Sequence, residues 1–203
     1  MSASTKNNVA TCGSDEFLLE MHGYGYDGKR VEVYLRPKIS VTSNVNQRQR
    51  EAQAILLKLG KDIKHSRDWT CEFCDKPSRE TVFNVASWMH LTPPRLVVYI
   101  HHVCDAGPGP CLDQLNALQR LMEQTTGQPS VTPPPIAKPP GIEYPLASSC
   151  GLCHDETSAG KAMSKCGKCK LIRYCSTNYQ KQDWPRHKSV CKIVKAVTWV
   201  GWD

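Results

Sequence analysis

The chain has 203 residues, of which 40% are hydrophobic and only 7% aromatic, and this length suits one domain of ordinary size or two small ones. Lys and Arg number 26 against 19 Asp and Glu, which gives a formal net charge of +7. No apolar run approaches the roughly 20 residues of a membrane span. Residues 1–9 lack the apolar core of a signal peptide, so we expect an intracellular protein that is neither exported nor inserted into a membrane.

The first 126 residues carry the hydrophobic patterns of both strands and helices. Alternating apolar side chains over Val31–Leu35 predict a strand that ends at Pro37, and apolar residues at helical spacing predict an amphipathic helix within Val45–His65. Three further predicted elements are a strand over Thr81–Val85 that continues toward Met89, a strand over Arg95–Val103, and a helix over Cys111–Gln124. The sequence therefore predicts a mixed α/β unit over residues 1–126.

The chain contains 11 cysteines, and all but Cys12 fall into two groups. The first group is Cys71, Cys74, Cys104 and Cys111, and the second is Cys150, Cys153, Cys166, Cys169, Cys175 and Cys191. A reducing compartment keeps thiols free, so clustered cysteines in a chain without an export signal more often bind metal than form disulfides. The distribution predicts zinc, with Cys12 as a free thiol.

The first cysteine group predicts a metal site that closes around a hairpin. Cys71 and Cys74 have the spacing of a zinc knuckle, and Cys111 stands at the start of a predicted helix. The preferred ligand set is Cys71, Cys74, Cys104 and Cys111. His101 competes with Cys111 for the fourth position, because His-x2-Cys is also a usable ligand pair, and the alternative to a metal site is a set of buried structural thiols.

Residues 127–149 hold seven of the 14 prolines, a composition that favours an extended conformation and cannot build a core. We interpret this segment as a linker between residues 1–126 and residues 150–203.

The C-terminal part, residues 150–203, carries ten Lys or Arg against four Asp or Glu. This charge would attract nucleic acid or acidic partners. However, the basic residues follow no reading-helix pattern, so nucleic-acid binding is not favoured.

Seven potential metal ligands follow one another from residue 150. They are Cys150, Cys153, Cys166, Cys169, Cys175, His187 and Cys191. A Cys-x2-Cys turn places both sulfurs on one side of a tight knuckle, and residues four apart, such as His187 and Cys191, share one helix face. We expect Asp183 to cap this helix and Pro185 to lie in its first turn.

The motif around these ligands resembles a MYND-type zinc finger. The resemblance rests on Arg173-Tyr174-Cys175-Ser176, Gln180, Asp183-Trp184, His187-Lys188 and Cys191. It implies a cross-braced module over residues 150–191 that holds two zinc ions, followed by a tail over residues 192–203. One implied site is complete, with Cys166, Cys169, His187 and Cys191 as its ligands. The other consists of Cys150, Cys153 and Cys175, with a further ligand expected where this chain has Tyr179.

Tyr179 is a departure from the family pattern, because a phenol is a poor zinc ligand whose proton has a pKa of about 10. Three thiolates with a water molecule, or with His154, would still hold zinc, and an empty site is equally compatible with the sequence. The fold class expected is therefore a small zinc-stabilised α+β protein with one firmly predicted zinc site and up to three.

In MYND fingers, a groove that uses the motif's Gln and Trp binds proline-rich peptides, and the matching positions are Gln180 and Trp184. The alternative for Trp184 is that it merely packs over the metal knuckle. The chain's own prolines at 133–135 and 139–140 could occupy such a groove within the same molecule.

The N-terminal part resembles a segment that precedes MYND fingers in some fungal proteins of unassigned role, and this second resemblance implies no activity.

The leading hypothesis is a non-enzymatic zinc-binding adaptor that joins proteins in regulatory complexes, since zinc with four protein ligands has no open position for a substrate. One rival is a DNA-associated transcriptional regulator that uses the basic finger surface. Another is the remnant of a SET-type lysine methyltransferase. That enzyme would need well over a hundred further residues and an Asn-His-Ser-Cys-like motif, neither of which the sequence contains.

Overall fold

The computed structural model describes residues 17–38, 45–88, 91–127, 138–139, 141–159 and 161–202. The helices and strands within these ranges are, in chain order, β1 (Leu18–Tyr24), β2 (Arg30–Leu35), α1 (Val45–Lys64), β3 (Glu80–Trp88), β4 (Arg95–Val103), α2 (Pro110–Thr126), β5 (Ser164–Lys165), β6 (Arg173–Tyr174), α3 (Thr177–Ile193) and β7 (Val194–Val200).

A five-stranded sheet in the order β3-β4-β1-β2-β7 forms the centre of the molecule. Strand β1 runs parallel to β4, and the other neighbouring strands are antiparallel. Successive strand residues point to opposite faces, and one face of β1 is buried through Leu19 and Met21. Strand β1 was not predicted, although the polar residues Glu20 and His22 alternate with this buried pair as in a strand that has one buried face.

Helix α1 packs on the sheet at unusually close range. A Cβ atom on Gly60 would lie 2.6 Å from Phe83 Cζ of β3, so only a glycine fits here without displacement of the ring. Leu59 and Ile63 on either side of Gly60 are fully buried. The amphipathic helix predicted within Val45–His65 is thus confirmed, and its apolar face covers the sheet.

The other helices and strands predicted in residues 1–126 are also present. β2, β3 and β4 lie at the three predicted strands, and α2 begins one residue before the predicted helix. Pro110 occupies the first turn of α2, where its missing N–H has no helical partner to lose. The predicted extension of β3 toward Met89 lies outside the described residues.

Two expectations about the C-terminal part are corrected. Helix α3 begins at Thr177, where the Ser176 side chain accepts a hydrogen bond from the Tyr179 N–H (3.3 Å). Asp183 and Pro185 therefore lie inside the helix, and Asp183 is a buried hydrogen-bond partner instead of a cap. The prediction missed the serine, although serine is a preferred N-cap residue.

Residues 192–203, expected as a tail, contain strand β7. This strand follows α3 directly and pairs with β2 along its length, from Arg30 opposite Val200 to Leu35 opposite Val194. Beyond it, the Trp202 ring meets the buried Trp69 ring edge to face, with centroids 4.9 Å apart. A strand whose partner lies more than 150 residues earlier in the chain cannot be recognised from local pattern.

The buried apolar residues of the C-terminal part and of the sheet form one continuous core. Leu171, Ile172 and Val190 belong to the same cluster as Leu59 and Ile63 of α1.

In the predicted linker, residues 128–137 and 140 lie outside the described residues. The end of that segment contacts the N-terminal part, since the buried Ala147 donates its N–H to the carbonyl of Ser78 (2.8 Å). The remaining domain boundaries stay predictions.

We predict that Gly60→Val destabilises the fold by about 1–3 kcal/mol, because the added side chain must displace the Phe83 ring. The free energy of unfolding would be measured by urea titration followed by circular dichroism. Leu57→Val is the control: Leu57 lies on the same helix but is 70% exposed, and this change should cost less than about 0.5 kcal/mol. Equal effects in both variants would contradict the close packing.

Candidate metal centres

The fold gathers the potential ligands into three clusters, within each of which the ligand atoms all lie within 4.8 Å of one another. The clusters are Cys71, Cys74, Cys104 and Cys111, called here the N-terminal cluster; Cys166, Cys169, His187 and Cys191, the buried cluster; and Cys150, Cys153 and Cys175, the three-thiol cluster. All ten cysteines of the described residues are free thiols. Every ligand position predicted from the sequence is thus placed in a cluster.

The sulfur spacings match tetrahedral zinc. Zinc–sulfur bonds of about 2.3 Å imply sulfur–sulfur edges of about 3.8 Å in a tetrahedron, whereas a disulfide bond is about 2.05 Å long. The Sγ–Sγ distances are 3.7 Å for Cys71–Cys111, 3.6 Å for Cys74–Cys104 and 3.8 Å for Cys166–Cys191. The donors are therefore arranged for a metal ion, and soft thiolates select zinc among the common divalent ions.

The three Cys-x2-Cys turns share one backbone conformation. The residue after the second cysteine has a positive φ in each turn: 59° at Asp75, 56° at His154 and 60° at Lys170. The N–H of each of these residues donates to the carbonyl of the first cysteine, over 3.0 to 3.2 Å. This left-handed residue turns the chain so that both sulfurs face one point, which explains why three separate segments produce the same knuckle.

In the N-terminal cluster, the fourth thiol is that of Cys111. It lies in the first turn of α2, with its sulfur 3.7 Å from Cys104 Sγ. His101, the competing candidate, is engaged elsewhere, because its Nδ1 lies 2.7 Å from Glu72 Oε2 and its Nε2 lies 3.3 Å from Asn84 Nδ2. The structure therefore groups Cys111, and not His101, with the other three thiols.

All four residues of the buried cluster are shielded from solvent. His187 directs Nε2 toward the sulfurs, at 3.5 Å from Cys169 Sγ. Hydrogen bonding between the two thiols lowers the pKa of Cys166 and raises the pKa of Cys169. One thiolate is thus favoured without metal, and the other thiols must lose their protons when a metal ion binds. Two cysteines from a knuckle and two residues of α3 thus close this cluster on all sides.

An acidic residue outside the finger holds the histidine of the buried cluster. Asp62 of α1 is fully buried, and its Oδ2 accepts a hydrogen bond from His187 Nδ1 (2.6 Å). Burial by itself lowers the pKa of His187, but the contacts with Asp62 and, second, with Cys166 outweigh it and raise the pKa to about 9. Carboxylates in this position fix the tautomer of a ligating histidine and increase its basicity. Asp62 therefore positions His187 for metal binding.

Arg186 extends this contact into a network. Its guanidinium donates to Asp62 Oδ1 (2.6 Å) and to both oxygens of Asp183, which also accepts from the Tyr174 hydroxyl (2.8 Å). Sequence reasoning missed Asp62. The available signal was a carboxylate on the apolar face of a helix, three residues after Leu59 and next to Ile63, where a buried charge needs a partner.

The three-thiol cluster extends from the core to the surface: Cys150 is fully buried, Cys153 is half-buried and Cys175 is exposed. Cys153 Sγ and Cys175 Sγ are 3.7 Å apart, and the Cys175 N–H points at Cys150 Sγ (3.5 Å). Within the part of the chain that the structure describes, no fourth His, Cys, Asp or Glu joins this group. The His154 ring stacks instead on His65, with centroids 5.3 Å apart.

The residues predicted to bind peptide lie on α3. Gln180 and Trp184 are four apart and so share one helix face, and Trp184 is 40% exposed. The Trp184 ring contacts the His187 ring at 6.0 Å between centroids. Trp184 thus combines a contact near the metal ligand with a solvent-facing indole surface.

Comparison with known proteins identifies one domain. Residues 149–191 match the MYND finger family. The corresponding region is 42% identical over 45 residues to N-lysine methyltransferase SMYD2-B of Danio rerio, a match that covers 22% of this chain and 10% of that protein. It is 41% identical over 51 residues to SET domain and MYND-type zinc finger protein 6 of Schizosaccharomyces pombe, which covers 25% of this chain and 10% of that protein.

A third relative is the Zinc finger MYND domain-containing protein 10 homolog of Drosophila melanogaster, 51% identical over 35 residues, or 17% of this chain and 8% of that protein. The chain thus spans about a tenth of the length of the curated relatives it matches.

No solved structure matches the chain. No helix among the described residues has the length and apolar character to cross a membrane. Residues 149–191 are a MYND finger, a zinc-binding protein-interaction domain, and the three clusters of this chain could each hold a zinc ion.

Proposed function

We propose that the protein is a zinc-dependent adaptor whose finger binds proline-rich segments of other proteins across Gln180 and Trp184. The observation that carries the proposal is the exposed Trp184 ring, since large aromatic side chains in a core-forming role are normally buried. An indole face accepts a proline ring, and a carboxamide can hydrogen-bond the backbone of an extended peptide. His187 and Cys191, farther along α3, are buried as members of the buried cluster, so the helix that carries Gln180 and Trp184 is anchored in the core.

The proposed zinc ligands are the predicted ones, distributed over the three clusters. Those of the N-terminal and buried clusters are Cys71, Cys74, Cys104, Cys111, Cys166, Cys169, His187 and Cys191. With four protein ligands each, these two sites have no position for a substrate, which favours a structural role. The methyltransferase activity in the name of SMYD2-B belongs to that protein, which this chain matches over the finger region alone. We propose that this chain is not an enzyme.

The DNA-associated alternative receives less support. Arginine supplies the commonest base-specific contacts in DNA complexes, and both arginines of the finger form ion pairs with aspartates of this chain. Arg186 binds Asp62 and Asp183, and Arg173 binds Asp68 (2.6 Å) with only 7% of its side chain exposed. The exposed basic residues of the finger are lysines, whose side chains are commonly solvated at protein surfaces.

We predict three zinc ions per chain, counted by native mass spectrometry. Cys104→Ser and Cys191→Ser should each lower the count by one, because each removes a thiolate from a different closed cluster. Cys12→Ser is the matched control and should leave the count at three. A count that does not change in Cys191→Ser would contradict the assignment of the buried cluster.

We predict that Asp62→Asn weakens zinc binding at the buried cluster by about 10–100-fold, the usual effect of losing a carboxylate that orients a ligating histidine. Native mass spectrometry at increasing chelator concentration would detect the loss of one ion at a correspondingly lower concentration. Asp68→Asn removes a carboxylate that pairs with Arg173 but contacts no ligand, and it should retain its zinc as the wild type does. Identical behaviour of the two variants would refute the positioning role.

We predict that Trp184→Ala lowers the affinity for a proline-rich peptide at least tenfold, and that Gln180→Ala lowers it less. Fluorescence anisotropy of a labelled peptide with the chain's own sequence 132–140, TPPPIAKPP, measures the binding. A peptide with alanine at every proline is the ligand control.

The matched protein controls are Gln182→Ala, whose side chain is two residues along α3 and therefore faces elsewhere, and Trp88→Ala on β3. Both should bind as the wild type does. If Gln182→Ala weakens binding as much as Gln180→Ala, or if the alanine peptide binds equally well, the proposed peptide site is wrong.

A further inference from the structure

The three-thiol cluster differs from the other two clusters in the number of its ligands. It brings together three sulfur atoms, whereas each of the others brings together four donor atoms. Zinc in proteins is almost always tetrahedral, so three protein ligands leave one position for a ligand from elsewhere. The knuckle of this cluster has the same backbone conformation as the two complete ones, which indicates that the site is built to hold metal.

Neither of the neighbouring candidates is a good fourth ligand. The His154 ring lies against the His65 ring, and the ring nitrogens of His154 lie outside the set of donor atoms that surround the sulfurs. Tyr179 packs against the apolar core, and its phenol would have to lose a proton to ligate. The described residues thus leave the fourth position without a protein donor.

The surroundings of the cluster favour a negatively charged ligand that arrives from solvent. Cys175 is exposed and Cys153 is half-buried, so a small molecule or an extended side chain can reach the sulfurs. Lys61 of α1 interacts electrostatically with Cys150. This positive charge offsets part of the net negative charge that zinc acquires when it carries more than two thiolates.

We propose that Cys150, Cys153 and Cys175 form an open zinc site whose fourth position takes a thiolate from another molecule. The incoming thiol releases its proton to solvent and displaces a water molecule, so no oxidant or reductant is required. The finger would then have two distinct contact sites: the α3 face with Trp184, and a metal site that a partner's cysteine or a small thiol completes. This second site does not depend on peptide binding at Trp184.

The test uses the full chain loaded with Co2+, because the visible absorption of cobalt reports its ligands. The spectrum of the wild type minus that of Cys175→Ser isolates the three-thiol cluster. We expect glutathione to shift this difference spectrum with a saturable concentration dependence, while the cobalt content stays constant. No shift, loss of cobalt, or the same shift in Cys175→Ser would overturn the proposal, as would a response to imidazole but not to glutathione.

Three more variants keep the result interpretable. Cys153→Ser replaces Cys175→Ser as the reference if circular dichroism shows that the latter has lost its helix content. Tyr179→Phe must match the wild-type spectrum before glutathione is added, and a changed spectrum would identify the phenolate as the fourth ligand and refute an open position. Cys12→Ser must respond to glutathione as the wild type does, and a different starting spectrum would assign the fourth position to this chain's own thiol.

Discussion

The hydrogen bond between Asp62 and His187 is the contact on which the rest of the structure depends. It joins a helix of the N-terminal part to a ligand of the buried cluster, and it does so between two groups that are fully shielded from water. A buried carboxylate is unfavourable unless its oxygens are occupied, and here His187 and Arg186 occupy both. Metal binding at His187 and packing of α1 in the N-terminal part are therefore linked through one buried hydrogen bond.

The same coupling explains why the chain folds around one core with few aromatic residues. Small modules that rely on zinc gain their folding free energy from metal binding, and this protein combines three thiol-containing clusters with the apolar contacts of its core. Strand β7 strengthens the connection, because it leaves α3 and pairs directly with β2. The finger is consequently held in a fixed orientation, with the proposed peptide-binding face of α3 exposed to solvent. An adaptor with a rigidly mounted binding face loses little conformational freedom when its partner binds.

Part of this architecture was predictable because it is encoded locally. The helix α1 and the strand β2 have hydrophobic periods of 3.6 and 2 residues, which set their type because one face is buried. The strands β3 and β4 are short runs rich in β-branched and aromatic residues, which favour strands. The Cys-x2-Cys pairs of the three clusters were predictable for a different reason: this spacing fixes a turn, and a turn is a property of a few consecutive residues. The choice between His101 and Cys111 was not local, since it depended on Glu72 and Asn84, which bind the imidazole from other parts of the chain.

The sequence by itself determined that the chain binds zinc, which residues belong to each knuckle, and that residues 150–191 resemble a MYND finger, because these properties lie in short spacings and residue types. Only the tertiary structure decided that Asp62 holds His187, that residues 194–200 complete the sheet, and that His154 turns away from the three-thiol cluster toward His65. Each of these contacts joins residues far apart in the chain. Such contacts arise from the packing of α1 between the sheet and the finger, and no local pattern specifies that packing.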